Sequence, residues 1–221
     1  METAIARRRR EKAAAPPPAL RERRTHEERS AETQSALVEA AISMLCEFGY
    51  AGVTTAEVAR RAGCTTGAMH HHFGSKEELM LAVLARLSLE FEAKVERFEQ
   101  FRGSSLRLRC EQAVDLLADY YGEARYVAIW ELYVGTRCEP ALNQVCLQNR
   151  ARVIKEFEHV WMAAFADAKV PRAEVVGLMH FTLTFLRSFG LNKSLGSAAG
   201  SDDAQLRILK DALLSKLQPK K

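Results

Sequence analysis

After about residue 25 the apolar positions recur at spacings of three and four along nearly the whole chain, the signature of amphipathic helices rather than of strands. Leu37, Ala41, Leu45 and Phe48 form one stripe, with Val38 and Ile42 beside it, and Gly49 ends the run. Thr25-x-x-Glu28 is a capping box for that helix, which starts somewhere between residues 26 and 31. Thr54-Thr55-Ala56-Glu57 is a second box, opening a short helix that turns Val58, Ala59 and Ala62 inward and stops at Gly63. Thr65 is the N-cap of another short helix from Thr66 to about His72. Ser75-Lys76-Glu77-Glu78 then opens a long helix through Leu79, Val83, Leu87 and Phe91. Further helices are predicted over about 79–100, 105–121, 124–136, 139–168, 172–190 and 202–218, so the fold class is all-α.

A short helix, a tight glycine-containing turn and a second short helix form a helix-turn-helix, spanning roughly residues 54 to 73. The second helix of such a unit enters the DNA major groove and presents its N-terminal half to base edges. Thr65, Thr66, Gly67 and His70 or His71 fall on that outward surface, whereas Cys64, Met69 and Phe73 face the core. Gly67 costs helix stability, about 1 kcal/mol against alanine, which suits a backbone that must approach DNA closely. Free amides at the helix starts Thr54, Thr65 and Ser75 attract phosphates.

Charge weakens the case until it is located. The 221 residues carry a net +4, but residues 1–30 hold nine Lys/Arg against five Asp/Glu and supply all of it. Residues 31–80 hold three basic and six acidic side chains, so attraction to DNA there rests on local geometry. Residues 1–25 read as a flexible basic arm: Arg7–Arg10 repel one another and Pro16-Pro17-Pro18 stops any helix. The arm is either a solvated tail or an element that reaches a neighbouring minor groove. No apolar run approaches the ~18 residues of a membrane span, and no apolar segment follows the arginines as a secretory signal requires. The five cysteines are odd in number and form no CxxC pair, which fits a reduced cytoplasmic protein.

Phe48-Gly49-Tyr50, then Thr54-Thr55-x-x-Val58-Ala59-x-x-Ala62-Gly63, then Thr66-Gly67-Ala68-Met69-His70-His71-His72-Phe73-Gly74-Ser75-Lys76-Glu77-Glu78-Leu79 closely resembles the tetracycline-repressor (TetR) family of regulators, in register over about fifty residues. The resemblance implies an all-helical homodimer with an N-terminal three-helix DNA-binding domain and a C-terminal helical domain for inducer binding and dimerisation. The corresponding boundaries are 1–25 for the arm, 26–78 for the DNA reader and 79–221 for the second domain. Carried over by position, Thr54, Thr55, Thr65, Thr66, Gly67, His70, His71 and Lys76 touch DNA. Position 70 is usually a phosphate-contacting Tyr in the family, and His70 departs from that. Three consecutive histidines diverge by ~100° each on a helix and cannot face one metal ion, so neither a metal nor a cofactor is expected.

In the C-terminal part, Trp130-Glu131-Leu132-Tyr133 followed by Thr136-x-x-Glu139-Pro140-x-Leu142 looks like family members with small hydrophobic inducers. The candidate ligand contacts are Phe91, Tyr121, Tyr126, Trp130, Tyr133, Phe157, Trp161 and Met179, residue types that equally well form plain core. The helix 172–190 is apolar nearly all round and the last helix carries Leu206, Leu209, Leu213 and Leu217 on one stripe, with Ile208 and Leu214 off it. Both need cover, from within one chain or, as the favoured reading, from the same helices of a second subunit. His180, Thr184 and Arg187 share one face of the first of these helices, as ligand contacts or, preferably, as interface pairs. No GxSxG, HExxH or GxxxxGK(S/T) motif occurs, so an enzyme is not expected. The function expected is a regulator, released from a palindromic operator by a small, largely hydrophobic inducer. A constitutive architectural DNA binder and a helical protein adaptor are the alternatives.

Overall fold

The computed structural model describes residues 25–101, 103–196 and 202–218; the Arg7–Arg10 run and the rest of the expected arm up to residue 24 lie outside the described residues. Helix α1 (His26–Gly52) begins with a reciprocal cap: the Glu28 amide donates to Thr25 Oγ1 (3.2 Å) and the Thr25 amide to Glu28 Oε2 (2.7 Å). Its regular backbone breaks at Gly49 (φ 68°, ψ 176°), a positive φ that glycine adopts without steric penalty. Leu37, Ala41, Ile42 and Leu45 are buried as the stripe predicts, but Phe48 is 51% exposed. The turn at Gly49 brings Tyr50 and Val53 into the core instead, and the Phe48 ring is left outside with the Arg61 guanidinium 5.0 Å from its centroid.

Helices α2 (Thr55–Arg61) and α3 (Thr66–His72) are short because each has its own side-chain cap and Gly63, at φ 69°, breaks the chain between them. Helix α4 (Lys76–Val95) is amphipathic along its whole length, burying Leu79, Val83, Leu87 and Phe91, and continues into a 3-10 turn at Glu96–Phe101. Then follow α5 (Leu106–Tyr121), α6 (Arg125–Gly135), a 3-10 turn at Thr136–Cys138, α7 (Pro140–Ala164), α8 (Arg172–Ser194) and α9 (Asp202–Leu217). No strand occurs among the described residues, and no helix among them is long and apolar enough to cross a membrane.

From Thr33 onward the chain is one compact unit around a continuous hydrophobic core running from Leu37 to Leu217. Helix α7 stops four residues short of the predicted 168: Phe165 leaves helical geometry (φ −118°) and packs its ring 4.7 Å from Trp161. Trp161, fully buried, donates its indole N–H to the Val175 carbonyl (3.1 Å) and so ties α7 to α8. Helix α5 packs against α8 and α9. At the α5–α8 crossing a Cβ on Gly190 would lie 2.0 Å from the Tyr121 carbonyl oxygen, so only glycine lets the two backbones approach. On α8 and α9, Val175, Met179, Leu183, Leu209 and Leu213 are buried, while Phe181 and Ile208 are 56% and 66% exposed.

Gly190→Ala is expected to force the α5 backbone away and to lower stability by about 1–3 kcal/mol, read as a reduced urea midpoint. Alanine at Gly177 on the same helix, where a Cβ meets nothing within 4 Å, is expected to stabilise by roughly 0.5–1 kcal/mol. Equal midpoints for the two variants would mean that the crossing is looser than the geometry implies.

Candidate functional site

The helix-turn-helix is built by three capped helix starts. Thr54 Oγ1 accepts from the Glu57 amide (3.3 Å), Thr65 Oγ1 from Ala68 (3.0 Å) and Ser75 Oγ from Glu78 (3.2 Å). Only half of each predicted second and third box forms. Glu57 turns to Arg60 and Arg61 rather than back to Thr54, and Glu78 accepts from the Gly74 amide (2.9 Å). Met69 and Phe73 anchor α3 in the core, with Cys64 packed against it. That anchoring leaves Thr54, Thr65, Thr66, Gly67, His70 and His71 exposed, Thr55 and His72 half-buried, and the His72 ring edge-on to His71.

The arginines nearest this surface are already engaged. Arg60 pairs with Glu57 at 2.6 Å, and Arg61 with Glu47 at 2.6 Å and Glu57 at 3.2 Å. Hydrogen bonds from Arg60 and Arg61 hold the Glu57 carboxyl down at about 2. The other cation, Lys76, opens α4 half-buried: its Nζ donates to the Tyr50 carbonyl (3.0 Å) and lies 4.2 Å from the Tyr50 ring centroid. Burial lowers its pKa. One of its three N–H donors is used by the Tyr50 carbonyl.

Tyr50 is held from every side. Its amide donates to Glu131 Oε2 (3.2 Å) and its phenol to Glu139 Oε2 (2.8 Å); burial first, then this bond to a carboxylate, raises the phenol's pKa. A Cβ on Gly135 would fall 2.2 Å from the Tyr50 Cβ, so the end of α6 lies directly on the tyrosine. Glu131, a lone acid among apolar residues in the sequence, is thereby accounted for as the acceptor of the Tyr50 amide.

The opposite face of α6 lines a cavity between α4, α5, α6, α7 and α8. Phe91, Tyr121, Tyr126, Trp130, Tyr133 and Phe157 all line it. Trp161 and Met179 do not; both are fully buried core, and the Trp161 indole is spent on the Val175 carbonyl. The reading of those two as ligand contacts is corrected accordingly. Pattern reading missed Ser88, Tyr120, Arg150 and Leu183 among the lining residues, and it set Arg187 with an interface group. His180 and Thr184 are exposed while Arg187 lines the cavity. The available signal was the four-residue spacing that puts Leu183 and Arg187 on one helix face. Burial raises the pKa of Tyr120, Tyr121, Tyr126 and Tyr133, the last to about 12. Ser88 donates to the Leu84 carbonyl (2.8 Å) and accepts from Asn149 (2.7 Å), leaving its hydroxyl satisfied. The free interior is only about 50 Å³, room for a few waters rather than the ~300 Å³ or more of a typical ligand pocket.

Residues 37–83 match the family described as bacterial regulatory proteins, tetR family. Among curated relatives, the HTH-type transcriptional regulator CymR of Pseudomonas putida is 29% identical over 175 residues, covering 76% of this chain and 83% of the relative. Residues 37–83 thus carry a TetR-type segment, and over three quarters of its length the chain is similar to a TetR-type regulator. Its fold matches a TetR-family regulator from Rhodococcus sp. (TM-score 0.64, 18% identity, 83% of this chain and 100% of that one). It also matches NalD of Pseudomonas aeruginosa, described as the secondary repressor of the MexAB-OprM multidrug efflux pump (TM-score 0.60, 22% identity, 87% and 99%). These similarities make it a DNA-binding transcriptional regulator, and the relatives named are regulators rather than enzymes.

In the helix-turn-helix, Gly67 stands at an exposed position where a Cβ would meet only Thr65 Oγ1, at 3.8 Å. Gly67→Ala is therefore expected to raise unfolding stability by about 0.5–1 kcal/mol yet weaken binding to the gene's own upstream DNA in fluorescence anisotropy. A more stable variant with unchanged affinity would show that DNA does not approach the backbone there.

Proposed function

We propose that the protein is a ligand-responsive repressor that grips a palindromic operator as a homodimer and is released by a small, largely hydrophobic inducer. One observation carries the reading: α6 presents Tyr126, Ile129, Trp130 and Tyr133 to the cavity, while Glu131 and Gly135 on its other side hold Tyr50. Tyr50 in turn holds Lys76, the first residue of α4, and α4 itself contributes Leu87, Ser88 and Phe91 to the cavity wall. A ligand that opens the cavity pushes on α4 and α6 together, and both pushes arrive at the start of α4 beside the recognition helix. Half-sites sit at fixed helical-turn separations, so a small shift of α3 in each subunit breaks simultaneous contact.

In this reading residues 26–78 are the reader, with Thr54, Thr55, Thr65, Thr66, Gly67, His70, His71 and Lys76 at the DNA, and residues 79–221 form the effector and dimer domain. Phe181 and Ile208, exposed on α8 and α9, favour packing against a second subunit over a monomer. NalD, a repressor by its description, supports repression as the direction of control, exercised in the cytoplasm. The engaged arginines favour readout through capped helix starts and hydroxyls over bulk positive charge.

A gel shift with the gene's upstream duplex is expected to show a dimer-sized complex that Thr66→Glu/His71→Glu abolishes; tight binding by that variant would exclude α3 as the reader. Compounds from an apolar and aromatic set that raise the melting temperature are expected to dissociate the complex. DNA and ligand should weaken each other by the same factor, corresponding to about 1–3 kcal/mol. Tyr50→Phe, which removes the phenol bond to Glu139, is expected to bind such compounds normally but to need more of them for release. A release curve identical to wild type would remove Tyr50 from the coupling.

A further inference from the structure

We propose that the ligand of this cavity is a compact aromatic carboxylate, its ring taken by the tyrosine and phenylalanine wall and its carboxylate by Arg187 and Arg150. The inference rests on the reading of the cavity as the effector site and adds the ligand's charge and class. Among the described residues that line the cavity, two carry charge; both are arginines and no carboxylate accompanies them. Other arginines of the same helices are paired: Arg125 with Glu39 and Glu90 at 2.7 Å each, Arg152 with Glu92 at 2.9 Å, Arg172 with Glu158 at 3.0 Å. Those pairs also commit the nearby acids, so Glu90 and Glu92 are not free to serve the cavity.

Arg187 faces phenols instead. Its guanidinium carbon lies 5.9 Å from the Tyr121 ring centroid, the Tyr121 phenol is its hydrogen-bond partner, and the Tyr126 and Tyr133 phenols are also close by. Burial raises the pKa of all three phenols, so at neutral pH none supplies a negative charge. Arginine cannot escape by losing its proton, and a partly buried cation without a counter-ion is unfavourable until an anion arrives. The guanidinium fork matches a planar carboxylate in two parallel hydrogen bonds. Arg150, exposed at the α7 side, stands where an incoming anion leaves water.

The wall selects the rest of the molecule. Phe91 meets Tyr120 at 5.0 Å and Phe157 at 5.7 Å, and Tyr121 meets Tyr126 at 4.7 Å, all tilted or edge-on. A flat ring extends that arrangement with the geometry aromatic groups prefer. The interior must widen for any ligand, and a one- or two-ring body requires less widening than a long acyl chain.

The test uses the full-length chain and a matched pair, 2-naphthoate and 2-naphthamide, with 2-naphthol as a neutral control, read by thermal shift, tryptophan fluorescence and release from the upstream DNA. Naphthoate is expected to bind saturably and about tenfold or more tighter than the amide, the scale of a lost charge-assisted bond. Arg187→Gln is expected to remove that preference while keeping the unliganded melt. Arg150→Gln, which alters an exposed side chain, is expected to reduce the preference and serves if the first variant folds poorly. Equal binding of acid and amide to wild type overturns the carboxylate assignment and leaves the effector cavity standing. Failure of all three compounds to bind overturns the effector cavity and this inference with it.

Discussion

Tyr50 sits where the chain has just turned at Gly49, and its placement constrains both halves of the molecule. Its three polar groups are each spent on a different element: the amide on α6, the phenol on the start of α7, the carbonyl on the first residue of α4. Close packing makes the arrangement stiff, because Gly135 leaves no room for even a methyl group between α6 and the tyrosine. Packed interiors respond to displacement by switching between discrete arrangements rather than by stretching. A residue gripped in this way passes a shift of α6 to α4 as rigid motion instead of absorbing it.

The reader surface has little free charge. Arg60 and Arg61 are locked to acids, and Lys76 is drawn back toward Tyr50. Non-specific DNA affinity is set mainly by the number of phosphates neutralised, so a surface of this kind relies on hydroxyls, backbone amides and fit. Such contacts depend on correct placement more than long-range attraction does. That dependence is useful to a regulator, since small displacements then have large effects on binding.

Helix order, the capped starts and the two glycine breaks were legible in the sequence because they are local: a Thr or Ser three residues before a capped amide, or a glycine where φ must be positive. Six of the eight proposed ligand contacts also line the cavity, as expected for aromatic residues repeated at helical spacing. What was not legible depended on partners distant in sequence. Phe48 fits the buried stripe of α1 until the turn after it brings in Tyr50. Trp161 looks like a ligand contact until Val175 presents its carbonyl. Arg187 shares a face with His180 and Thr184 by periodicity, yet it lies two turns beyond His180 and alone of the three lines the cavity. Glu131 and Tyr50, 81 residues apart, leave no periodic trace at all.

On the proposed reading of the cavity as an effector site, its near-closed state has a consequence for how the response can be tuned. If only a minor, opened population accepts ligand, apparent affinity equals intrinsic affinity reduced by that population. On that reading, substitutions that prop the aromatic wall open raise sensitivity by favouring the arrangement that lets go of DNA, so leakage rises with it. Better contacts to the ligand's own groups escape this bind, because they act only once the ligand is present. A quiet yet sensitive switch of this design is therefore reached through the polar fringe of the cavity, while the aromatic wall sets the resting balance.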